Sequence, residues 1–367
     1  MIERKMLFTP GPVMTSDAVK SVLAHPDLPH RQPAFEEFVR RIRANLLRLF
    51  GADEGYTAVV VSGSGTAANE TALSSIVRPG EEVLLVKNGE FGNRLEEILT
   101  CYGYPLRVLD YPWGVMPDPR QVEAALTENP RLQWVCMVFH ETSTGMINPV
   151  AAVGDITRRL GRKFFVDCVS AVGGQDIDVV RDRIDVCTGV PNKAVGGMTG
   201  VSFVLARRAC VFPVEGPRRN VYLNLQKHIE WADKKNQTPN TPSVTMFVAL
   251  DAALAELLNE GLDNRIKRYQ SCARILREGV RGLGLRILLP DNQASNTVTS
   301  IFLPKGVDLE KFIAELDRRG YVVYAGKGPF YEQNIFQIAN MGWISEEDCR
   351  RFLAELDRML SDRDWQR

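Results

Sequence analysis

The stretch WVCMVFHETSTGMINPVAAVGDITRRLGRKFFVD (residues 134–167) sets two short apolar runs, WVCMVF (134–139) and KFFVD (163–167), on either side of a longer amphipathic segment. Short apolar runs alternating with amphipathic stretches predict strands alternating with helices. The alternation continues outward, through TAVVV (57–61), EVLLV (82–86) and LRVLD (106–110) on one side and VSFVLA (201–206) on the other. Runs so continuously apolar and β-branched belong to strands covered on both faces, which predicts an α/β fold with a mostly parallel central sheet.

Beyond residue 235 the pattern changes. A Pro- and Asn-rich loop, NQTPNTPSV (236–244), precedes a helical pattern from about Val244 to Glu260 that ends at Gly261, as a helix ends at a capping glycine. TSIFLP (299–304), YVVYAG (321–326) and IFQIAN (335–340) then mark strands of a smaller α+β lobe. Single cores stop growing near ~250–300 residues, so two unequal lobes are expected in 367 residues. We read residues 17–261 as the large domain, and the arm 1–16 together with 262–367 as the small one.

Apolar residues make up 45% and charged residues 25%, within the range of ordinary globular chains. Lys+Arg and Asp+Glu both number 45, so no net charge draws the chain to nucleic acid or an anionic membrane, and a small-molecule substrate is expected. Seven scattered cysteines, without Cys-x-x-Cys or histidines at ligand spacing, predict reduced, mostly buried thiols and no metal. MIERKMLFTPGPV has no apolar signal core and no run approaches a membrane span, so the expected location is cytoplasmic.

Three segments carry chemistry. The first strand runs into SGSGTAANE (62–70), where glycines admit a ligand close to the backbone and the next helix offers free N–H groups. The pattern is neither a dinucleotide nor a nucleoside-triphosphate fingerprint, so it suits a single phosphate. Taken alone it is also a plain turn capped by Thr66. KFFVD ends in Asp167 at the carboxyl edge of the sheet, where α/β ligands gather, though an aspartate there also caps helices. GVPNKAVGG (189–197) sets Lys193 among small residues, where a solvated lysine would be the default. Together they supply the three contacts of pyridoxal 5'-phosphate (PLP): a phosphate cradle, an acid for the ring nitrogen and an amine for the Schiff base.

From TPGP (9–12) to IANMG (338–342) the chain resembles the class-V aminotransferases, PLP enzymes of fold type I, and within them it is most similar to 2-aminoethylphosphonate–pyruvate transaminases. The resemblance implies that Ser64, Gly65 and Thr66 hold the cofactor phosphate and that Phe91, in NGEFGNR, stacks on the ring. It also implies that Thr142, in HETSTGMINP (140–149), lies near the phenolic oxygen, that Asp167 faces the ring nitrogen and Val169 the ring, and that Lys193 after Asn192 is the Schiff-base lysine. By the same resemblance Thr241, in TPNTPS, is expected to reach the neighbouring subunit's cofactor, which implies a homodimer with shared active sites. His140 is read as structural.

One position departs from the family. Its small domain carries arginine in F-R-I-x-N-x-G to grip a substrate carboxylate, and this chain reads FQIANMG, with Gln337 in that place. Either another cation (Arg31, Arg94, Arg319 or Lys327) replaces it, or the substrate lacks an α-carboxylate, or the chemistry is no longer amino transfer. PDLPHRQPAFE (26–36), with Arg31, also departs from the aminophosphonate pattern. The expected function is transfer of an amino group from a small amine, 2-aminoethylphosphonate-like, or an amino acid to a keto acid or aldehyde. A PLP-dependent lyase is the rival. A cysteine desulfurase is disfavoured because AGKGPFYEQN has no nucleophilic cysteine.

Overall fold

A computed structural model describes residues 5–213 and 218–362. The large sheet is built from β1 (Tyr56–Ser62), β2 (Glu82–Lys87), β3 (Leu106–Asp110), β4 (Leu132–Val138), β5 (Lys163–Asp167), β6 (Val186–Gly189) and β7 (Val201–Arg207). Its order is β1-β7-β6-β5-β4-β2-β3. Neighbours from β6 to β3 run parallel, while β7 is antiparallel to both β1 and β6. The reason lies in the connections. Parallel neighbours need a crossover of a dozen or more residues, and the loop between β6 and β7 spans only residues 190–200, so the chain turns straight back.

Side chains alternate across the sheet, and both faces are covered. Phe164 and Val166 pack on one face with the helices Pro33–Leu49 and Val244–Glu260, while Phe165, with Trp134 and Cys136, packs on the other against Gly65–Ile76 and Glu90–Cys101. Each such fully buried side chain contributes about 1.5–3 kcal/mol. That is why these strands read as unbroken apolar runs rather than as alternation.

A smaller antiparallel sheet holds β8 (Arg286–Ile287), β9 (Val298–Phe302), β10 (Tyr324–Ala325) and β11 (Ile335–Ala339) in the order β8-β9-β11-β10. The run YVVYAG, read as one strand, is split: Tyr321–Val322 pairs in parallel with Met6–Leu7, and only Tyr324–Ala325 joins this sheet. β6 is the strand the apolar-run criterion passes over, because VCTG is four residues long and ends in glycine.

The N-terminal arm crosses between the lobes. Ala339 N donates to Phe8 O at 2.9 Å and Trp343 N to Met14 O at 2.8 Å, tying residues 8–14 to the small lobe. Pro10 and Gly11 lie between those ties, beside Lys193. All seven cysteines are free, and only Cys101 is exposed. Among the described residues no helix is long and apolar enough to cross a membrane.

Candidate active site

The carboxyl ends of β1, β5 and β6 open on one cavity of about 420 Å³, lined among others by Ser64, Gly65, Thr66, Phe91, Asp167, Val169, Asn192 and Lys193. β1 brings the Ser64 turn, β5 ends at Asp167, and β6 leads into the short loop that carries Asn192 and Lys193. That edge is where parallel sheets place their ligands.

Ser64 is the N-cap of the helix Gly65–Ile76, with Thr66 inside the first turn, and the Ser64 side chain makes no capping bond. The first N–H groups of that helix therefore face the cavity without a side-chain partner, at the positive end of the helix dipole, as a phosphate requires. Gly63 N donates to Gly200 O at 3.0 Å, which holds this turn beside the loop that follows Lys193.

Asp167 is buried and its two oxygens are fixed separately. Val169 N donates to Oδ1 at 2.8 Å and Asn69 Nδ2 to Oδ2 at 2.6 Å. Thr188 Oγ1 donates to Asn69 Oδ1 at 2.5 Å and so turns the amide to present its N–H groups to the carboxyl. Burial pushes the Asp167 carboxyl above its ordinary value, and the two donors, with Lys193 and Arg94, oppose it without cancelling it. A cationic ring nitrogen is the partner such a carboxylate lacks.

Lys193 Nζ donates to Pro10 O at 2.5 Å. Gly11, at φ +133°, passes so close that a Cβ there would stand 3.0 Å from the lysine Cδ, Cε and Nζ, so the arm needs glycine at this position. Burial, then repulsion from Lys327 and Arg94, lowers the Lys193 amine from 10.5 to about 8, against the pull of Asp167. A substantial neutral fraction near physiological pH makes it a competent nucleophile and base.

Thr142 is buried, and its Oγ1 has no hydrogen-bond partner. An orphaned buried hydroxyl is costly unless a ligand atom completes it. The open helix N-terminus, the Asp167 carboxyl and the Lys193 amine, all on the cavity wall, make a set of donors and acceptors that fits PLP.

Four residues singled out from the sequence stand outside the cavity lining, Thr142 among them. Thr241 is exposed, outside the cavity lining. Arg31 donates to Gln237 Oε1 at 2.9 Å and Thr238 O at 2.6 Å and lies over the Trp231 ring, 4.7 Å from its centroid. Gln337 is buried, and its Nε2 donates to Thr142 O at 2.8 Å, Ser143 O at 3.1 Å and Ser300 Oγ at 2.9 Å. Its amide thus clamps the loop that carries Thr142. Of the other candidate cations, Arg319 pairs with Glu315 and Glu355, each at 2.6 Å, whereas Arg94 lines the cavity and Lys327 approaches Phe91.

Sequence reasoning passed over Glu141, which lies in HETSTG beside Thr142. Its buried carboxyl accepts from Gly92 N at 3.1 Å, Phe91 N at 3.3 Å and Ser143 Oγ at 2.5 Å. It therefore caps the helix Glu90–Cys101 and fixes the backbone that carries Phe91. Burial pushes it up to about 7 in spite of those donors. His140 is buried too, with Nδ1 against Ser170 O at 3.1 Å, and burial lowers it to about 3, so its ring is neutral. Asn69 and Thr188 were likewise missed, although Asn69 stands in the quoted turn SGSGTAANE.

Residues 18–341 match the family model described as aminotransferase class-V. A 2-aminoethylphosphonate–pyruvate transaminase of Syntrophobacter fumaroxidans is 35% identical, over 95% of this chain and 94% of its own length. Among solved structures, the ureidoglycine–glyoxylate aminotransferase of Bacillus subtilis superposes with a TM-score of 0.91 at 27% identity, covering 98% of this chain and 94% of that one. The alanine–glyoxylate aminotransferase of Nostoc does so at 0.92 and 26%, covering 98% and 96%.

Proposed function

The chain belongs to the class-V aminotransferase family, whose members are PLP-dependent enzymes of fold type I acting on small amines and keto acids, and we propose that its own donor is a small amine of the 2-aminoethylphosphonate kind. The acceptor in this reading is a keto acid or aldehyde. Amino transfer is supported by Lys193 and Asp167 lining one cavity with the N-terminus of Gly65–Ile76, and the donor by the similarity to a 2-aminoethylphosphonate–pyruvate transaminase.

PLP, when bound, withdraws electrons from the donor's amine-bearing carbon. The residues supply the rest. Lys193 Nζ would hold the cofactor and would serve as the base at the donor's amine-bearing carbon; its depressed basicity suits it to give the proton up again. Asp167, held by Asn69 and Val169, would keep the ring nitrogen protonated. Ser64, Gly65 and Thr66 would hold the phosphate end, Phe91 and Val169 would lie against the ring, Thr142 Oγ1 would bond the phenolic oxygen, and Asn192 would line the cofactor cavity beside Lys193. In this reading Thr241, exposed on the loop before Val244–Glu260, would serve the partner's site of a homodimer.

The test is the visible spectrum of the purified protein. 2-Aminoethylphosphonate should abolish the lysine-bound cofactor band and a keto acid should restore it, while Lys193→Ala should lack the band from the outset. Release of ammonia with the band retained would establish elimination instead.

A further inference from the structure

Three cationic groups gather around one aromatic ring. Lys193 Nζ lies 5.8 Å from the Phe91 centroid, Lys327 Nζ 5.1 Å and Arg94 Cζ 5.1 Å. Cation–π contacts of this kind are weak, so the ring does not compensate the crowding. The crowding registers on Lys193, whose amine is repelled by both of the others. Lys193 answers to Asp167, and Arg94 Nη2 has one loose partner, Glu90 Oε1 at 3.6 Å. Among the described residues no carboxylate forms an ion pair with Lys327.

The approach of Lys327 is built into the small lobe. It sits at the tip between β10 and β11, where Gly326 N donates to Ile335 O at 2.7 Å and Phe330 N to Lys327 O at 3.0 Å. A Cβ on Gly326 would come within 2.8 Å of Phe330 Cβ, so the turn closes only over glycine. The Phe330 ring in turn stands edge-on to Trp113 of the large lobe, centroids 5.6 Å apart at 88°. The tip is thus anchored from both lobes with its amine aimed at the cavity's aromatic wall. Meanwhile both amide hydrogens of Gln337 are committed to protein oxygens, so position 337 offers an anion nothing.

We propose that Lys327 and Arg94 together seat the distal anionic group of the donor, a small tetrahedral dianion such as a phosphonate, in place of a cation at position 337. The assignment rests on the donor reading above and identifies the residues that would recognise it. Two cations converging from different lobes suit a dianion better than the single fork that a carboxylate needs.

The probe is methylphosphonate, which carries the anion without the amine, titrated calorimetrically into PLP-loaded protein. Lys327→Met should weaken binding by about tenfold or more, and Lys327→Arg should recover most of it. KM for 2-aminoethylphosphonate should rise by the same factor. Equal methylphosphonate affinity in Lys327→Met and wild type would overturn the assignment. So would loss of PLP from Lys327→Met with unchanged affinity per loaded site, because the lysine would then serve the cofactor's own phosphate. If methylphosphonate binds through Lys327 but no amine alters the cofactor band, the donor reading falls and the anion seat stands. If 2-aminoethylphosphonate acts on both proteins at equal KM, the seat falls and the donor reading stands.

Discussion

Lys193 shows how neighbours set the chemistry of a single residue. Its amine is driven down to about 8 by burial first and by Lys327 and Arg94 next. Reconstitution of the apoprotein with PLP requires the neutral amine, so its rate should climb through a midpoint near 8 rather than near the ordinary 10.5. Removing a positive neighbour favours the charged amine, so Lys327→Met should move that midpoint upward. The growth of the cofactor band against pH measures both, and a wild-type midpoint near the ordinary value would refute the account of burial. Lys193 and Asp167 were legible in the sequence because each sits in a telling local setting, a Gly/Pro/Asn loop and a strand end. Asn69 and Thr188 were not, because their roles are relations across 98 and 119 residues of chain.

The helix Glu90–Cys101 carries Phe91 into the site, and its N-terminus closes on the Glu141 side chain. Two influences compete at Glu141. The helix amides favour the carboxylate, and burial disfavours it; burial wins, lifting the carboxyl from 4.5 to about 7. A raised acid contributes stability that is present below its unfolded value and is lost as pH rises through the folded one. Between about pH 4.5 and 7 the wild type should therefore lose on the order of 3 kcal/mol relative to Glu141→Gln, which has no charge to bury. Urea unfolding of both proteins at pH 5 and pH 8 measures this, and a difference that does not change between the two would remove burial as the cause. Elements of this kind were read unevenly. LRVLD and KFFVD were found at their observed bounds, as was the helix Val244–Glu260, because long apolar patterning survives tertiary context. VCTG failed for want of length, and YVVYAG was divided because the N-terminal arm, patternless by itself, claims its first half as a partner.

At the scale of the molecule, the site is assembled from pieces that no single lobe contains. The arm brings Pro10 to Lys193, the small lobe sends Gln337 to the Thr142 loop and Lys327 to Phe91, and the large lobe supplies the cavity. Thr241 is among the residues this assembly leaves outside, exposed on the loop before Val244–Glu260. In a two-fold dimer any residue that serves the partner's site does so reciprocally, which makes sharing testable by complementation. Lys193→Ala loses its own site, and Thr241→Tyr, a bulky side chain on an exposed position, loses the partner's. Each homodimer should be inactive. Mixing the two in equal amounts with subunit exchange gives heterodimers in half the population, and in each of these one site carries both defects and the other neither, so activity should return to about a quarter of the wild-type level. Independent sites would give no recovery, since each subunit would then carry its own defect wherever it is paired.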